Sequence, residues 1–157
     1  MNQLTSNVRR GMLVGMVGGM VMAMWSMIAL AAHGDGFWAP LDLIAHTIWS
    51  GAPLDGSFHV GAAVLGMMGH LMTSMLLGVT IALLAGRSPG RAVGVAMAAS
   101  MGAWVVATVA WPAIDDAAAG RFPGWALLIG HVMYGAAAAM AIGAVPTRRS
   151  APQILAG

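Results

Sequence analysis

Four stretches of this chain contain neither Asp nor Arg, and each is long enough to cross a lipid bilayer. They run from about Gly11 to Ala32, Val60 to Ala85, Ala92 to Trp111 and Gly124 to Val145. A helix needs about 20 apolar residues to span the hydrocarbon core. The expected fold is all-α: a four-helix transmembrane bundle of two tandem helical hairpins, in a single domain over residues 1–157. Only 8% of the residues are charged, where a soluble domain carries about 25%. There is no Lys, Glu or Cys. Without Cys the chain has no disulfide, thiolate metal site, iron–sulfur cluster or covalently attached haem.

The charges that remain fall into a pattern. The turn Gly86-Arg87-Ser88-Pro89-Gly90-Arg91 joins the second and third stretches, Pro112 to Pro123 joins the third and fourth, and Pro146 ends the fourth. On this threading Arg9, Arg10, Arg87, Arg91, Arg148 and Arg149 share one side. Arg121 stands alone on the other, with Asp35, Asp42, Asp55, Asp115 and Asp116. Basic residues favour the cytoplasmic side, so the expectation is a multi-pass inner-membrane protein with both termini in the cytoplasm. Scattered arginines without a basic stripe argue against nucleic acid. Trp38, Trp49, Trp111, Trp125, Phe37, Phe58 and Phe122 gather at the outer boundary as an interfacial belt. Between Gly34 and Phe58 a short interfacial helix is expected over about 40–50, flat on the outer surface as a lid. Leu41, Ile44, Ala45 and Ile48 would share its inward face, with Asp42 and His46 pointing elsewhere. Arg9-Arg10, the first apolar run and Ala29-Leu30-Ala31 also resemble a signal peptide with its cleavage site. The run is longer than a usual signal core, and Gly15, Gly18 and Gly19 read as packing positions.

The two halves echo each other. Gly69-His70-Leu71-Met72 matches Gly130-His131-Val132-Met133, and each His precedes an Arg, Arg87 or Arg148, by 17 residues. A pseudo-twofold axis along the membrane normal would place both histidines at one depth, roughly 25 Å from the arginine level. An ionisable residue inside a membrane is a functional candidate. Ala62, Gly66, His70, Ser74 and Gly78 form one i+4 row, and His131, Gly135, Ala139 and Gly143 another. Such rows suit close helix packing, and they also leave room for a flat ring between two imidazoles. The leading expectation is haem b held by His70 and His131, beside Gly66 and Gly135, with Trp25 and Trp104 at the ring edges. In the plainer reading each His bonds a hydroxyl or carbonyl across a helix contact, and the small residues only pack.

Other features carry weaker chemistry. Met12, Met16, Met20, Met24 and Met27 stripe the first helix. Thioethers bind Cu(I), but Met also fills irregular apolar gaps. His33, His46 and His59 near the outer carboxylates are candidate metal ligands, and the cluster could also respond to pH. No nucleophile elbow, phosphate loop or intramembrane acid pair is present, so no enzymatic activity is expected. The readings are a small haem b electron-transfer or accessory subunit, a non-catalytic structural or assembly protein of a larger membrane complex, and a copper- or zinc-handling protein. The lipid bilayer is the expected partner in each, with a homodimer or larger complex built on exposed Gly and Ala rows.

Overall fold

The computed structural model describes residues 3–86 and 88–144, and every regular element among them is a helix. α1 (Gln3–His33), α3 (Val60–Ala85), α4 (Pro89–Ile114) and α6 (Gly124–Ala144) are long and apolar enough to cross a membrane. α2 (Ala39–Ile48) and α5 (Asp116–Ala119) lie in the two connections at one end. Arg87, Pro146, Arg148 and Arg149, which entered the charge pattern and the helix ends, fall outside the described residues.

Local chemistry sets the boundaries. Gly86 ends α3 with φ of +61°, a left-handed conformation that glycine adopts without a Cβ clash. Ser88 then caps α4, its hydroxyl accepting the Arg91 N–H at 3.4 Å. Two ends differ from the sequence expectation. α1 begins at Gln3, so Arg9 and Arg10 are themselves helical. α4 continues through Pro112 to Ile114, forgoing the one backbone bond that a proline cannot donate. Asp115 follows as the N-cap of α5, accepting the Ala118 N–H at 3.1 Å.

Packing follows the glycines. α1 lies between α3 and α6, and α6 between α1 and α4. A Cβ on Gly11 would strike Val79, and one on Gly15 the Ser74 carbonyl, so this row brings the α1 and α3 backbones together. Gly18 lies under the ring of Tyr134, whose Cε2 would stand 2.9 Å from an added Cβ. α3 and α4 pack toward their shared turn, where Ile81, Ala82, Ala85, Ala92 and Ala96 meet Ala138 and Ile142. At that end Arg10 donates from Nη1 to the Gly86 carbonyl at 3.2 Å and from Nη2 to the Ile142 carbonyl. A residue read as a topology charge therefore also ties α1 to the C-terminal ends of α3 and α6, where helix carbonyls lack donors.

α2 departs most from expectation. Leu41, Asp42, Leu43 and Ala45 are at most 3% exposed, whereas Ile48 is 59% exposed. The helix does not present one face to water with Asp42 on it. It is gripped on several sides. A Cβ on Gly66 of α3 would collide with the Leu41 carbonyl, Leu41 packs with Met27 of α1, and Leu43 packs with Leu30 and Ala118. The aromatic residues gather at this end. Trp38 packs on Phe37 and Phe58, Trp111 on Phe122, and Trp25 edge-on to Trp125.

Candidate ligand chamber

Beyond their shared turn α3 and α4 are separated by a cavity of about 520 Å³. α3 contributes Gly69, His70, Thr73 and Leu77 to one wall, and α4 contributes Ala103, Ala107 and Trp111 to the other. Met22 of α1 and Leu127, His131 and Tyr134 of α6 form the back. Ile44, Thr47 and Ile48 of α2 roof it. The wall residues span eight positions on each of α3 and α4, which makes the chamber about 12 Å tall. His70 and His131, paired in the sequence by their Gly-His repeat, thus line one chamber. No Asp or Arg lines it among the described residues.

The two imidazoles are not equivalent. His131 Nδ1 lies 2.9 Å from the Leu127 carbonyl one turn back. A carbonyl only accepts, so Nδ1 carries the proton and a neutral ring keeps its lone pair on Nε2. His70 is held the opposite way, donating from Nε2 to the Gly19 carbonyl of α1 at 2.9 Å, which leaves the lone pair on Nδ1. Ser100 of α4 donates to the His131 carbonyl at 2.6 Å and anchors that turn of α6. A Nδ1–H bonded to a carbonyl with Nε2 free is the arrangement that fixes a metal-binding histidine. His131 has it. His70 would have to release Gly19 to present the same nitrogen.

The remaining candidate residues lie off the chamber wall. Gly66 is filled by the α2 backbone, and Gly135 abuts Met97, whose sulfur would stand 2.9 Å from an added Cβ. The room expected there for a flat ring is occupied by neighbouring helices. Trp25 donates to the Ala126 carbonyl at 3.0 Å. Trp104 has a buried Nε1 without a partner among the described residues, and nothing in the structure explains it. The three outer histidines are held separately. His33 pairs with Asp35 at 2.7 Å, His46 pairs with Asp115 at 2.7 Å, and His59 stands at the N-cap position of α3 without a side-chain capping bond. No three potential ligands converge on a metal position among the described residues.

The sequence reading missed Tyr134 and the contacts of the roof. Tyr134 is the only tyrosine in the chain, and its hydroxyl donates to the Ser74 carbonyl at 2.7 Å. Its place three residues after His131, on the same helix face, was the available signal. Trp111, read as part of the belt, donates to the Thr47 hydroxyl at 2.9 Å and joins α4 to the roof. The His46–Asp115 pair makes a second tie between the same elements. Burial pushes the Asp115 carboxyl up, but the His46 ring and the Ala118 N–H outweigh it and hold the group below the usual carboxylate range.

Comparison with protein-family models, curated proteins and solved structures finds no match. The functional reading therefore rests on the chamber itself.

Proposed function

We propose that this chain is a multi-pass membrane protein, a four-helix transmembrane bundle of the bacterial inner-membrane kind, whose chamber holds a lipid-soluble prosthetic group. Haem b is the leading candidate, with His131 as the axial ligand and His70 as the second imidazole once it leaves Gly19. The carrying observation is that two histidines 61 positions apart line one cavity, one of them with Nε2 free of any partner among the described residues. The cavity volume falls within the range of small-molecule sites, about 300–1,000 Å³. Orientation follows the charges. Arg9, Arg10 and Arg91 lie toward one end, while the five Asp and Arg121 lie toward the α2 end, which favours cytoplasmic termini.

The test is the absorption spectrum of protein purified in mild detergent from haem-replete cells, oxidised and reduced. Sharp b-type bands are expected, abolished in His131→Ala and retained but shifted in His70→Ala. Bands that survive loss of His131 would reject the ligand assignment. A colourless protein would reject haem and favour the second reading, a structural or assembly protein. The filling of Gly66 and Gly135 by neighbouring helices supports that reading, because it accounts for the glycine four residues from each histidine by packing alone.

A further inference from the structure

The chamber is closed on most sides and open on one. Toward the α3–α4 turn it is floored by the Ala82, Ala85, Ala92 and Ala96 contact. At the other end α2 lies across it, tied to α4 by the Trp111–Thr47 and His46–Asp115 bonds and seated on α3 at Gly66 and Gly69. α1 and α6 close the back. The remaining side is the gap between α3 and α4, whose rims Met72 and Val106 line the chamber and are also 61% and 64% exposed.

The height of that gap decides what it faces. Met72 stands about 18 Å along α3 from its start at Val60, and Val106 about 12 Å along α4 from its end at Ile114. Both rims are well inside the apolar spans. The outer faces of the same helices carry exposed Leu76, Val105 and Val109, surface suited to acyl chains. The lining is mostly apolar, and the hydroxyls of Thr47, Thr73 and Tyr134 spend their protons on carbonyls within the protein, so apart from the two imidazole lone pairs little in the chamber can hold water.

We infer that the chamber receives its ligand sideways from the lipid phase, through the gap between α3 and α4, and that α2 is a fixed roof that excludes water. The inference rests on the membrane-spanning reading and names the ligand class. The ligand is a lipid-soluble molecule with an apolar body and a metal centre or donor group that an imidazole lone pair can engage. A water-soluble solute entering from the α2 end is excluded.

The chain has no Cys, so single-cysteine variants need no prior removals. A nitroxide would be attached at Ala103→Cys on the chamber wall, at Val105→Cys on the outward face of the same helical turn, and at Ser57→Cys in the exposed loop. After reconstitution into phosphatidylcholine vesicles, collisions would be measured with molecular oxygen, which concentrates in lipid, and with a neutral nickel chelate confined to water. Ala103 is expected to match Val105, with high oxygen and negligible nickel access, and to differ from Ser57. Met72→Trp at the rim is expected to lower oxygen access at Ala103 and leave Val105 unchanged. Nickel access at Ala103 comparable with Ser57 would overturn the inference in favour of a water-filled chamber. Loss of both collision rates would overturn it in favour of a sealed one. No ligand is needed, so a colourless protein with a lipid-accessible chamber would reject haem and leave the route standing.

Discussion

Asp42 is the residue whose environment most needs an account. It is fully buried, neither carboxylate oxygen has a partner among the described residues, and its pKa is raised from 3.8 to about 6. Burial is the main cause and the nearby Asp55 adds to it, while His59 partly offsets them. A buried group without hydrogen bonds disfavours its charged form. Below pH 4 both folded and unfolded chains hold this proton, and its titration makes no contribution to stability. Between pH 4 and pH 6 the folded state keeps a proton that the unfolded state has lost, so stability falls as pH rises. Above pH 6 the whole penalty stands, on the order of 3 kcal/mol. Wild-type protein in detergent should therefore melt at lower temperature at pH 7.5 than at pH 5. Asp42→Asn, similar in shape and without charge, should remove most of that difference. Equal pH slopes in the two proteins would show that another group is responsible. Helical spacing groups Leu41, Ile44, Ala45 and Ile48 on one face and leaves Asp42 beside it, and no rule of periodicity foresees a helix enclosed on several sides.

At the level of elements, the glycine rows divide sharply by what they touch. Gly15 sits against the Ser74 backbone, whereas Gly94 on α4 has nothing within 4 Å of a Cβ position. Gly15→Leu should force α1 from α3 and destabilise the fold by about 3 kcal/mol or more, while Gly94→Leu should change stability by less than about 0.5 kcal/mol. Melting of the two variants side by side checks this, and equal losses would mean that the α1–α3 crossing is not where stability is concentrated. The existence of the four long helices was legible because apolar runs of this length, free of Asp and Arg, have few alternatives. Their ends were less legible. Polar residues from Gln3 to Arg10 continue α1 beyond its apolar run, and Pro112 is tolerated near the end of α4. The shared chamber of His70 and His131 was foreshadowed by the repeated Gly-His. The surroundings of Gly66 and Gly135 were less legible, because a small side chain in a row reads the same whether a ring or another helix fills the space beside it.

The whole molecule is less symmetric than its sequence repeat. A true twofold would give α3 and α4 the same close approach as α1 and α6. Instead Gly18 lies against Tyr134 on one side, and the chamber opens on the other. A second asymmetry runs along the helices. The arginines near one end include Arg10, which is tied to the Gly86 and Ile142 carbonyls and so has a packing role separate from its charge, while Arg9 and Arg91 are exposed. The acids and Arg121 occupy the opposite end, where His46–Asp115 and the Arg121–Leu54 bond knit the connections together. If basic residues set the orientation, the exposed loop at residue 57 faces away from the cytoplasm and the start of α1 faces into it. In intact cells a membrane-impermeant maleimide should then label Ser57→Cys and leave Ser6→Cys unlabelled until the membrane is permeabilised. The reverse pattern would invert the topology and place the roof of the chamber in the cytoplasm. Labelling of both sites in intact cells would show that the four helices do not keep one orientation, and the proposed sealed end would lose its meaning.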